Sequence, residues 1–154
     1  FGDGTWRVNS DILAGTYWTA GNPGCYWIRL SGFSGAVTDL LANDIVSGQV
    51  VVTIETSDAG FKTSQCGTWQ PAGTVTPAQP LTQFGDGVWR VGVDIAPGSY
   101  HTEGAQSCYW ERLNGFTGEA GDVLAYELPG GSAVVTLMGT DAGFKSRGCG
   151  TWTR

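Results

Sequence analysis

Histidine is nearly missing from this chain, charged residues are few, and no long apolar run occurs. Each shortage closes off a class of function. The single histidine is His101, and the four cysteines stand apart rather than in C-x-x-C or Cys/His clusters, so the sequence offers no zinc site. No nucleophile and base recur together in both halves of the chain, and the expectation is a protein that is not an enzyme. No apolar stretch approaches the roughly 20 residues that a membrane-spanning helix needs, so membrane insertion is not expected. The chain opens on Phe1-Gly2-Asp3-Gly4 without a signal-peptide pattern, which reads as a processed product or a piece of something longer. With 8 basic against 14 acidic residues, a net charge of −6 argues against nucleic acid or an anionic membrane as partner. Helical periodicity is absent as well.

What is present is a duplication. Residues 84–152 repeat residues 1–69 at a constant offset without a gap, and about half the positions carry the same amino acid. The reading is a first β module over 1–69, a Pro/Thr linker over 70–83 and a second β module over 84–154. Repeats this long and separated by a linker read as two beads rather than a solenoid. A domain near 70 residues buries only about 60% of its unfolded surface and tends to need a covalent staple. Four cysteines allow three pairings. The duplication favours Cys25 with Cys66 and Cys108 with Cys149, because each copy then closes itself. Closing loops of that length removes roughly 4 kcal/mol of unfolded-state entropy per bridge. Paired cysteines point to an oxidising compartment, secreted or on the cell surface.

Short β-branched and aromatic runs are punctuated by Gly, Asn, Asp and Ser, which reads as all-β. The expected strands in copy one are residues 5–8, 15–19, 25–30, 38–42, 49–54 and 61–64, with copy two repeating them. The run at 49–54, like its twin at 133–137, reads as a central buried strand. Six short strands and one bridge fit a small antiparallel sandwich or barrel. The Gly-Asp-Gly openings read as turns rather than phosphate loops, since no helix and no lysine follow where a nucleotide loop would need them. Asp3 and Asp86 lack the D-x-D-x-D run of a calcium loop. Asp58 and Asp141 read as turn residues that accept bonds from backbone amides.

Seven tryptophans are the larger excess. Alternation puts Tyr17, kept in both copies, on the core face and Trp18, which becomes His101, on the other. Cys25, Trp27 and Arg29 share one face, as do Cys108, Trp110 and Arg112. Two readings stay open for them: a tryptophan packed over the disulfide beside a structural arginine, or a ligand face in which indole stacks and guanidinium donates. The candidate ligand-binding residues are therefore Trp18, Trp27 and Arg29 in copy one and His101, Trp110 and Arg112 in copy two. No cofactor or metal is expected.

The segments Gly2–Val8, Asp94–Tyr100, Cys25–Leu30 and Asp58–Lys62, with Cys66–Trp69 and their twins, resemble a repeat of secreted proteins and lipoproteins of actinomycetes and other Gram-positive bacteria. The resemblance covers both copies almost end to end and implies an extracellular, disulfide-closed β module. Copy two is closer to the pattern, since copy one has Ala14 where Pro97 stands. The duplication, the Pro/Thr spacer, the acidic charge and the aromatic surplus point to a bivalent, non-catalytic module pair for a polysaccharide or oligosaccharide. The alternative is a protein–protein interaction module for another secreted or surface protein.

Overall fold

The computed structural model describes residues 1–73 and 79–154. The chain packs as two units, Phe1–Thr74 with Phe116–Ala120, and Val75–Gly115 with Gly121–Arg154. The first unit holds strands β1 (Gly4–Arg7), β2 (Gly15–Thr19), β3 (Cys25–Leu30), β4 (Leu40–Val46), β5 (Val50–Ile54), β6 (Gly60–Ser64) and β7 (Gln70–Pro71). The second holds β8 (Gln83–Phe84), β9 (Gly87–Arg90), β10 (Gly98–Ala105), β11 (Tyr109–Leu113), β12 (Val123–Glu127), β13 (Gly131–Leu137), β14 (Gly143–Arg147) and β15 (Trp152–Thr153). Apart from two three-residue 3-10 turns, every regular element among the described residues is a strand.

Each unit is an antiparallel sandwich. Unit 1 pairs a sheet of order β1-β6-β3-β4 with one of order β5-β2-β7, and unit 2 repeats this as β12-β11-β14-β9 and β13-β10-β15-β8. Alternation decides what lies between the sheets. Trp27 and Phe61 point inward from the first sheet of unit 1, while Tyr17 and Val52 do so from the second. Phe1 joins the two sets, its ring 5.1 Å from Tyr17 and 6.0 Å from Phe61. In unit 2, Phe84 stands likewise between Tyr100 and Phe144 at 5.0 and 5.9 Å.

The disulfides are Cys25–Cys66 and Cys108–Cys149, each closing its own copy. The Gly-Asp-Gly turn clasps the same point. Asp3 accepts from the Cys66 and Gly67 amides and from Thr63 Oγ1, and Asp86 does so from Cys149, Gly150 and Ser146. An aspartate there satisfies backbone donors that the turn would otherwise leave unpaired.

Two expectations need correction. The runs at 49–54 and 133–137 form edge strands, not central ones. β5 is nonetheless buried along most of its length, and Thr53 N donates to Phe116 O within unit 1, whereas β13 alternates between buried and exposed residues. The spacer is also taken up at both ends: Gln70 and Pro71 pair with Trp18 and Tyr17, and Leu81 exchanges backbone bonds with Asp94 and Ala96. The middle of the expected linker, residues 74–78, lies outside the described residues.

Candidate ligand-binding surfaces

Trp18 and Trp27 lie on different sheets, so the structure does not gather the expected ligand face at one spot. Trp27 is 3% exposed and stacks on Phe61 at 6.3 Å, and Trp110 is 7% exposed against Phe144 at 6.2 Å. Neither indole offers a face to a solvent-borne ligand. The reason is alternation itself, because the face carrying Cys25 and Cys108 must look inward for the bridge to reach the opposite segment.

Arg29 is wholly buried. Its Nε and Nη2 bind both oxygens of Asp58 at 2.8 Å, Nη2 also reaches Glu55 at 2.8 Å, and Nη1 reaches Thr117 O and Glu119 at 2.9 Å within unit 1. A guanidinium so engaged has no donor left over. Arg112 makes the same two-pronged pair with Asp141, both contacts at 2.8 Å. This ion pair holds the Asp141 carboxyl below its ordinary range, with Arg112's hydrogen bond as the main cause. Asp58 and Asp141 also accept from the Glu55 and Met138 amides, as the turn reading expects. The arginines therefore tie their strands to the turn that precedes the last strand of the first sheet.

Trp18 stands outward on β2 but is half-buried, and its indole N–H is enclosed with no hydrogen-bond partner among the described residues. His101 is exposed on β10 opposite Val134, in a shallow groove that Glu103 and Ser132 also line. Among the described residues no group of three or more His, Cys, Asp or Glu is arranged to hold a metal ion.

A surface that the expectations did not include lies on the outer face of the β12-β11-β14-β9 sheet. Tyr126 on β12 stands opposite Glu111 on β11, which stands opposite Lys145 on β14, and Tyr109 stands opposite Arg147. The Tyr126 ring is 65% exposed and tilts against Tyr109 with centroids 6.2 Å apart. Tyr109 donates its hydroxyl to Glu111; burial first, and that bond second, hold its phenol far above the usual range, so it stays protonated. Lys145 Nζ lies 3.7 Å from Glu111. The signal for this face was in the duplication. Tyr126, Glu111 and Arg147 replace Asn43, Ile28 and Ser64, so three positions at which the copies differ fall on one face.

The outer edges of the first sheets, β4 and β12, carry exposed apolar side chains, with Leu41 and Ile45 on one and Leu124 on the other. No described helix is long and apolar enough to cross a membrane.

The family model of the Rv1352-like extracellular domain matches the chain twice, over residues 1–70 and 82–153. No curated protein and no solved structure matches it. Disulfide closure and the family agree on an extracellular location. With two matches that together span nearly the whole chain, each over a sandwich with its own disulfide, the chain belongs to this family as a tandem pair of Rv1352-like extracellular domains.

Proposed function

We propose that this extracellular pair is a non-catalytic carbohydrate-binding protein, and that unit 2 carries the principal site on the outer face of β12, β11 and β14. The observation that supports this is the exposed Tyr126 ring leaning on Tyr109 beside Glu111, Lys145 and Arg147. A sugar presents an apolar C–H face and a rim of hydroxyls. An exposed aromatic ring takes the first, and fixed carboxylate, ammonium and guanidinium groups take the second. His101 in unit 2, and the outward side of Trp18 in unit 1, are secondary candidate positions, each on the second sheet of its own unit.

Binding to immobilised glycans tests this. Removing a stacking aromatic costs on the order of 1–2 kcal/mol at one site, so Tyr126→Ala should weaken retention by about tenfold while leaving the melting temperature unchanged. Trp18→Ala should lower the melting temperature, because that side chain is half-buried. Retention that neither Tyr126→Ala nor His101→Ala alters would end this reading.

A second reading, recognition of another surface protein, is favoured by the apolar edge strands β4 and β12. Unpaired strand edges accept an added strand through backbone bonds. Capture of an extended peptide, abolished by a proline at position 124 and unaffected by Tyr126→Ala, would separate it from the first.

A further inference from the structure

We propose that the Tyr126–Arg147 face selects carboxylate-bearing polysaccharide, and that the chain holds one such site rather than two. This rests on the carbohydrate reading and names its ligand class. Arginine pairing across the molecule supports it. Arg7, Arg29, Arg90 and Arg112 each bind an aspartate. Arg147 is exposed and, like the C-terminal Arg154, has no acidic partner among the described residues, in a chain where acids outnumber bases 14 to 8; of the two, only Arg147 lies on this face. An arginine left unpaired amid so many carboxylates is a free two-pronged donor for another one.

Its setting points the same way. Lys145 lies two residues from Arg147 on the same face of β14 and its charge is answered by Glu111, so Arg147, Lys145 and Glu111 together leave one net positive charge there on an acidic protein. Tyr126 and Arg147 sit on a diagonal across β11. Strand spacing and rise put their Cα atoms roughly 12 Å apart. With the reach of the arginine side chain, that leaves room for one or two sugar rings between a stacked residue on Tyr126 and a carboxylate at Arg147. The protonated Tyr109 hydroxyl is already committed to Glu111, which leaves that carboxylate's remaining lone pairs for sugar hydroxyls.

Copy one lacks the pieces. Asn43 stands for Tyr126, Ser64 for Arg147 and Ile28 for Glu111, and only Tyr26 and Lys62 remain. The bivalent expectation is thereby replaced by one anionic-sugar site per chain.

Calorimetry on the intact pair decides this, using short oligomers of galacturonic, glucuronic and mannuronic acid and their carboxyl-reduced counterparts. The expected result is that at least one uronate oligomer binds with a stoichiometry of one per chain. Its reduced form should bind at least tenfold more weakly, and affinity should fall with added salt. Arg147→Ala and Tyr126→Ala should each reduce affinity at least tenfold, whereas Lys62→Ala, which removes the same charge from copy one, should leave it unchanged. Both altered side chains are on the surface, and near-ultraviolet circular dichroism would verify the fold. Equal binding of the acid and reduced forms, or an Arg147→Ala protein that binds like the parent, overturns carboxylate selection and leaves the carbohydrate reading standing. Two sites per chain overturns the asymmetry. Binding of no oligomer, acid or reduced, overturns both readings.

Discussion

Arg29 and Arg112 occupy equivalent positions and pair with equivalent aspartates, yet their surroundings differ. The side chain of Arg29 is fully buried, that of Arg112 is a quarter exposed, and Glu55 in copy one is replaced by Met138 in copy two. Removing one partner of a buried ion pair strands the other charge away from water and costs about 3–5 kcal/mol. Arg29→Ala should therefore destabilise its module by about that much. Arg112→Ala should cost less, about 2 kcal/mol, because water reaches the site. Chemical denaturation of each variant measures the difference, and equal losses would mean that exposure does not govern it. The pair also sets a pH dependence. Asp141's folded pKa is depressed, so its contribution is present above the unfolded carboxylate value of about 3.9 and is lost as pH falls through the depressed value. The stability gap between the parent and Asp141→Asn should thus be constant near neutrality and close below about pH 4, as melting curves across pH would record. Both arginines were visible in the sequence as residues kept in both copies, but their partners were not. A pairing 29 positions apart depends on which turn the strand faces, and no local pattern encodes that.

At the level of strands the duplication made most of the fold legible, because β2 and β3 coincide with the expected runs and β6 differs by one residue. β4 does not. The run expected from 38 begins only at Leu40, after a 3-10 turn at Val37–Asp39, since the Asp39 carboxylate accepts from Ser34 N and Oγ at 2.6 and 2.7 Å and holds the chain in a loop. Short polar side chains that bind nearby backbone delay a strand in a way that hydrophobic pattern cannot register. The β10–β13 pair carries an irregularity of another kind, a register shift beyond Thr102. Gly104 sits there at φ +63, and a Cβ on it would lie 1.9 Å from Gly131 O; Gly21 is in the same state at φ +68, 2.0 Å from Gly48 O. A left-handed conformation costs an L side chain roughly 1–2 kcal/mol, and a backbone carbonyl cannot step aside as a flexible side chain would. Gly104→Ala should therefore destabilise unit 2 by more than about 2 kcal/mol in urea, whereas alanine at Gly121, where a Cβ meets nothing within 4 Å, should have little effect. The candidate site was only partly legible at this level. Alternation placed Tyr109 and Glu111 on one face, but the neighbouring strands that complete it, with Tyr126 and Arg147, are set by register.

For the molecule as a whole, the two bridges are the largest single contribution that can be removed without changing the sequence. Each closes a separation of 41 residues inside its own copy. Reduction should lower stability by roughly 4 kcal/mol per module, and the denaturation midpoint with and without reductant measures it. The bridges also fix how each module responds to load. Phe1 and Trp69 exchange backbone bonds, N to O at 3.3 and 2.7 Å, so the two ends of the first module leave side by side; Phe84 and Trp152 are register partners in the second. A pull on the chain would peel these end strands apart one bond at a time instead of shearing them together. Once the first module opens, the stretch between Cys25 and Cys66 stays locked, and only residues 1–24 and 67–69 pay out, roughly 90 Å of slack at full extension. A reduced module would release roughly 230 Å. A module built this way yields early and then stops short, like a tether with a limiter.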